Sequence, residues 1–326
     1  MTIRFAAMAV LALGMVLIQS AAFAQASDFP NKPIRIITHA PAGSSPDVVA
    51  RILAERLGAT LGQQVIVDNR PGGAGTIAMA AVAKAVPDGH TLGTMTFSHA
   101  VAPAIIAQLQ YDTARDLVPV RQTTQASLML AVGADSSLRT LADLVAAAKA
   151  QPGRLTYASS GNATPPHLFG EVFRTRTDTD IRHITYKGGV AATTALLGQQ
   201  VDILSTSGAA VIAQIRAGKV RPLAIGSPER MPALPDVPTL IELGYTGFDV
   251  RDWQGLVAPA KTPKAIIDRL SAEITKALEQ TDVKDRLATL GLESVAGSNP
   301  EAFGVLIQSE LARWAKVVRE AGVRAD

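Results

Sequence analysis

The chain has 326 residues, 48% hydrophobic and 18% charged, which excludes a disordered polymer and gives length enough for two domains. Its 31 Lys and Arg against 28 Asp and Glu leave a net charge of only +3 with no basic cluster, so a nucleic-acid partner is not expected. There is no cysteine, which excludes disulfides, a thiol nucleophile and a lipid-modified Cys anchor.

In chain order, the first element is a targeting segment. Arg4 gives a positive start, residues 6–18 form an apolar run, and Ala22-Phe23-Ala24 fits a cleavage site. Residues 1–24 therefore read as a secretory signal peptide. The run is shorter than the ~20 residues that span a bilayer. A periplasmic protein beginning near Gln25, not embedded in the membrane, is expected.

Strands are expected at 32–38, 64–68 and 91–96, with helices at 46–61 and 76–86 between them. Val48, Val49, Ile52, Leu53 and Leu57 share one face of the first helix, and Pro87-Asp88-Gly89 stops the second. This βαβαβ order predicts a parallel sheet covered on both faces. The pattern then restarts. Strands at 128–132, 155–158, 181–186, 201–205 and 221–226 alternate with helices at 141–150, 165–174, 189–197 and 208–217. Thr140 and Asp143 form a capping-box pattern ahead of the first of these helices.

Pro228, Pro232 and Pro235 mark a connector at 227–236. A returning strand is expected at 255–258, then helices at 263–280, 283–290 and 300–321, the last after Asn299. These late helices need a sheet to cover, and the second unit already carries its own. The chain is therefore expected to build lobe one from 25–125 and 228–326 and lobe two from 126–227. Two crossings between lobes make a hinge.

Two distant segments read almost alike: Thr38-His39-Ala40-Pro41-Ala42-Gly43-Ser44-Ser45-Pro46-Asp47 and Ala158-Ser159-Ser160-Gly161-Asn162-Ala163-Thr164-Pro165-Pro166. Each follows a strand and opens a helix. Ser45 and Thr164 suit the N-cap, and Pro46 and Pro165 the first helical position. Backbone N–H groups at such a helix start form an anion site, and two of them in a cleft could grip a small anion. Asn162 also suits a turn, and Asp47 suits the helix dipole. Ser98 and His99 follow the strand 91–96 and so sit at a carboxyl end, where α/β sheets bind ligands.

Other features carry less. Gly73-Ala74-Gly75-Thr76-Ile77-Ala78 matches a dinucleotide fingerprint, but Asp68-Asn69-Arg70-Pro71 intervenes and no acidic residue ends the next strand. Lys187 reads as a solvated lysine, Trp253 as packing near the hinge and Trp314 as core. No nucleophile elbow, P-loop or metal-ligand spacing occurs, so no catalytic residue, metal or cofactor is expected.

Longer strings carry a resemblance. Asp68-Asn69-Arg70-Pro71-Gly72-Gly73-Ala74-Gly75, Ala83-Lys84-Ala85-Val86-Pro87-Asp88-Gly89-His90-Thr91-Leu92, Tyr186-Lys187-Gly188 and Ala233-Leu234-Pro235-Asp236-Val237-Pro238-Thr239 resemble motifs of the Bug-type periplasmic solute-binding proteins, which serve tripartite tricarboxylate transporters. Tyr157-Ala158-Ser159-Ser160-Gly161-Asn162 and Leu256-Val257-Ala258-Pro259-Ala260-Lys261-Thr262-Pro263 do so too. The resemblance covers the mature chain in order. It implies a type II periplasmic-binding-protein fold of two α/β lobes with a hinge and an interlobe ligand cleft.

It also implies that one carboxylate of the ligand is held by Pro41, Ala42, Gly43, Ser44 and Ser45 on lobe one and by Ser159, Ser160, Gly161, Asn162 and Thr164 on lobe two. Thr206 stands where amino-acid-binding relatives carry Asp, so an amino acid is not the expected ligand. A monomer that binds a small organic carboxylate and meets membrane transporter subunits is expected. The alternatives are an exported dinucleotide-binding oxidoreductase and a sensor partner of a membrane kinase.

Overall fold

The computed structural model describes residues 29–323, so the expected signal peptide lies outside the described residues. The chain opens with β1 (Ile34–Thr38), α1 (Ser45–Leu61), β2 (Val65–Asn69), a 3-10 turn (Gly73–Gly75), α2 (Thr76–Ala83), β3 (Thr91–Thr96) and α3 (Phe97–Ile105). Next come β4 (Leu117–Gly133), α4 (Leu141–Ala150), β5 (Thr156–Ser159), α5 (Pro165–Thr177), β6 (Arg182–Thr185), α6 (Gly189–Leu197), β7 (Ile203–Ser207), α7 (Gly208–Arg216) and β8 (Val220–Ile225). The chain closes with β9 (Arg251–Pro259), α8 (Lys264–Glu279), α9 (Thr281–Thr289), β10 (Glu293–Ser294) and α10 (Pro300–Ala321).

The described strands lie in the order β2-β1-β3-β9-β4-β7-β5-β6, with β8 and β10 also on β4. β1 pairs in parallel with β2 and β3, as the βαβαβ pattern demands. β4 serves two half-sheets. Its residues 117–127 pair with β9, and its residues 128–133 pair with β7 and β8. Only 128–132 was expected as strand. Pro119 and the polar residues after it hid the rest, and the register shifts twice there, as a proline in a strand imposes.

Three further boundaries differ from expectation. α3 carries Pro103 inside it, which argues against a helix by sequence; Thr96 and His99 form its capping box instead. β7 runs to Ser207, so Thr206 lies in the strand and not after it. At α1 the N-cap is Ser44, extended at φ −77 and ψ 162, with Ser45 already helical. At α10, Asn299 caps as expected, accepting from the Ala302 N–H at 2.7 Å.

Apolar burial joins the layers. Ile34, Ile36, Val49, Ile52, Leu53 and Leu57 pack with Ile267, Leu270 and Ile274 of α8 on one face of the first half-sheet. Met129, Ala131, Leu196, Leu204, Val211 and Ile225 form the outer core of the second. The largest cluster runs across both, from Met79, Met95 and Phe97 through Phe303 and Trp314 to Leu168 and Phe169. The segment 228–250 sits on the second half. The Ile225 N–H bonds the Pro238 carbonyl, the Leu240 N–H bonds the Ile225 carbonyl, and Phe248 meets Phe169 edge-on at 6.3 Å. Among the described residues no helix is long and apolar enough to cross a membrane.

Candidate functional site

Strand directions bring the two loops together. β3 runs antiparallel to β9, and β9 to the first part of β4, so β1, β2 and β3 point along β4. β7 runs antiparallel to the second part of β4, and β5 and β6 follow β7, so these strands point back against it. The carboxyl ends of both half-sheets therefore face the middle of β4. β3 ends at Thr96, level with Gln254, which pairs Thr124; β7 ends at Ser207, level with Leu128. The four residues from Thr124 to Leu128 span roughly 13 Å at about 3.3 Å per residue.

Loop one joins β1 to α1. Gly43, at φ +81, turns the chain so that its N–H reaches Asp47 Oδ2 at 2.8 Å. Asn69, at the end of β2, donates to the Ala40 carbonyl at 2.9 Å and to Asp47 Oδ1 at 2.7 Å. Arg51 closes the strap on Asp47 at 3.0 Å and on Asn69 Oδ1 at 3.0 Å. Asp47 is only 1% exposed. Burial alone would raise its pKa; bonds from Arg51, Asn69 and Gly43 outweigh burial and hold it below the ordinary value.

Asp47 thus complements the helix dipole, as expected, and also ties the loop. Ser44 does not cap α1, because its hydroxyl donates to the Pro41 carbonyl at 2.6 Å. The first-turn N–H groups of Ser45 and Asp47 are left without a side-chain cap, and Pro46 has none to offer. Pro41, Ala42 and Gly43 are exposed, Ser44 and Ser45 half-buried.

Loop two joins β5 to α5. Thr164 is the N-cap, as expected, yet its hydroxyl donates to the Gly161 carbonyl at 2.7 Å and caps nothing. Pro165 and Pro166 fill the first two helical positions and carry no N–H. The expected array of helix N–H groups is therefore depleted at this helix start, a correction from proline chemistry. Ser160, Gly161, Asn162 and Thr164 are half-buried around the loop, and the Ser160 hydroxyl donates to Thr164 Oγ1 at 3.3 Å. Ser159 is fully buried behind it, 2.7 Å from His183 Nε2.

The remaining expected residues divide. Ser98 is half-buried in the first turn of α3, at the carboxyl end of β3. Thr206 is buried opposite Met129, its hydroxyl donating to the Ser207 carbonyl at 3.3 Å. His99 is a cap: its Nδ1 accepts the Thr96 N–H at 3.0 Å, and its ring meets His39 edge-on at 4.5 Å. Burial, then the neighbouring His39, lower its pKa to about 3, and burial lowers that of His39.

A Cβ on Gly75 would come 2.7 Å from His99 Nε2, so packing accounts for this glycine without a dinucleotide. Trp253 is buried, donating to Glu310 at 3.1 Å, and Trp314 donates to the same carboxylate at 2.8 Å. Sequence reasoning missed Gln254. From β9, buried, it donates to Ser45 Oγ at 2.8 Å and ties loop one to the crossing strand. Nothing in the local pattern marked it.

Two α/β halves whose strand ends meet across a shared strand define a two-lobed periplasmic binding protein. The profile of the tripartite tricarboxylate transporter family receptor matches residues 49–323, and the chain belongs to that family. Protein BugT of Bordetella pertussis is 38% identical over 306 residues, covering 93% of this chain and 94% of BugT. A Rhodopseudomonas palustris protein solved with adipate is 29% identical, with a TM-score of 0.75 and coverage of 91% of this chain and 99% of that one. MatC of the same organism, solved with malate, is 31% identical, with a TM-score of 0.73 and coverage of 89% and 100%.

Proposed function

We propose that this receptor closes two lobes on one carboxylate of a small organic acid and presents it to a membrane transporter. The observation that carries the reading is the convergence of the two loops on the middle of β4, where they bring uncapped N–H groups and hydroxyls and no covalent chemistry. Ser45, Asp47 and Ser160 offer backbone N–H groups; Ser44, Ser45, Ser98, Ser160, Asn162 and Thr164 line the gap with polar side chains. Such donors reject ligands that leave them unpaired.

Relatives solved with adipate and malate support a dicarboxylic acid as ligand. Thr206, in place of a carboxylate, leaves an ammonium group without a partner. In this reading lobe one comprises 25–125 and the chain from about 251, and lobe two 126–250; the packing of 228–250 on Ile225 and Phe169 supports that division over a return to lobe one at 228. A cleaved segment at 1–24 and a periplasmic monomer complete the reading.

The test is a thermal-shift panel of adipate, malate, aromatic acids, amino acids and nucleotides on the mature protein. A carboxylate at about 100 times its dissociation constant adds about 2.7 kcal/mol to stability. A shift from a nucleotide and none from any carboxylate contradicts the reading.

A further inference from the structure

Loop two is fastened from behind by two imidazoles. His167, in the first turn of α5, accepts the Ala163 N–H on Nδ1 at 2.9 Å. His183, on β6, lies 2.7 Å from Ser159 Oγ through Nε2. The rings stack at 3.8 Å with 9° between their planes. Ala163 needs an anchor, since it holds φ +54, a conformation that a non-glycine residue adopts at a cost. An Nδ1 that accepts a backbone N–H carries no proton, so His167 is uncharged in this arrangement.

Several polar groups pack around the pair. Glu171 Oε1 lies 4.0 Å from His167 Nε2 and accepts the Tyr157 hydroxyl at 2.7 Å. Arg174 holds the other Glu171 oxygen at 2.9 Å, with Asp180 beyond it. The Tyr157 ring lies 4.8 Å from that of His183. β7 contributes the Ser205 hydroxyl, which donates to the Pro166 carbonyl at 2.5 Å.

We propose that His167 and His183 are positioning residues that hold loop two in its ligand-ready shape only while the pair is uncharged, so that acidification releases the loop and weakens carboxylate binding. A proton on His167 Nδ1 replaces the acceptor of the Ala163 N–H with a second donor, and a second proton sets two cations face to face. The anchor is complete while both rings are neutral and is lost as they take up protons in acid. The functional half of this proposal rests on the carboxylate-receptor reading; the anchoring half does not.

The experiment keeps them apart. The backbone amide signals of Ala163 and Ser160 are followed by NMR in the ligand-free protein between about pH 8 and pH 5, and adipate affinity is measured by calorimetry over the same range. Wild type shows Ala163 titrating and adipate binding falling roughly five- to tenfold toward acid. His167→Ala loses that affinity at every pH. His167→Asn, whose amide oxygen replaces Nδ1 as acceptor and does not titrate, recovers binding over the Ala variant and flattens the profile. An Ala163 signal that stays fixed, or a His167→Asn profile as steep as wild type, overturns the proposal. A titrating Ala163 with no adipate binding at any pH supports the anchor and removes its stated role in binding.

Discussion

The two loops that meet at β4 look alike in sequence and each has a pair of imidazoles behind it, but the chemistry that holds them differs. Loop one is tied by a carboxylate: Asp47 takes the Gly43 N–H, Asn69 and Arg51, while His39 sits edge-on to His99, which caps α3. Loop two is tied by hydroxyls and imidazole nitrogens, with its carboxylate, Glu171, one layer further back. Similar loop strings therefore do not imply similar supports. Acid should find the differences.

The largest effect is expected behind loop one. The pKa of His99 is about 3 in the folded protein, while an unfolded imidazole protonates near ~6.5, so the unfolded chain binds more protons between the two. Stability is complete above about pH 6.5 and declines as pH falls toward 3, by on the order of 5 kcal/mol at full effect. Urea unfolding across pH measures it. His99→Asn, which keeps an acceptor for the Thr96 N–H, should show a shallower slope; an equal slope would remove His99 from the account.

The next effect separates the straps. Asp47→Ala leaves Asn69 and the Gly43 N–H without their acceptor, and should lower unfolding free energy by about 2–3 kcal/mol. Arg51 is half exposed and adds little, since water screens it. The carboxyl of Asp47 is held below its ordinary range, so its contribution is whole above about pH 4 and vanishes as pH drops through that lowered value.

The smallest stability effects belong to the groups that face the gap. Ser160→Ala and Thr164→Ala remove hydroxyls that cap no helix, and each should change stability by no more than about 1 kcal/mol while weakening carboxylate binding. Unchanged affinity in both would place the ligand elsewhere.

Much of this was legible in the chain. Alternating strands and helices, the Thr140 and Asn299 caps and both loops follow from periodicity and local polar chemistry. Three things did not. The first part of β4 hides behind Pro119 and polar residues, because a strand shared by two half-sheets need not alternate. The Asn69 side chain reaches Ala40 across 29 positions, and Gln254 reaches Ser45 across 209; no local pattern encodes such contacts. His167 and His183 have no metal-like spacing, and they stack because β6 pairs with β5 and α5 packs back from the end of β5.

The central claim is that the lobes close on a carboxylate held between the loops. The chain has no cysteine, so a spin-label pair can be placed without background. Ile77, 56% exposed at the start of α2, and Val190, 77% exposed at the start of α6, follow the outer strand of each half-sheet. With both changed to Cys and labelled, the distance between them is measured by pulsed electron resonance with and without adipate. The account predicts a shorter distance with adipate bound; an unchanged distance in protein shown by calorimetry to hold adipate would contradict it.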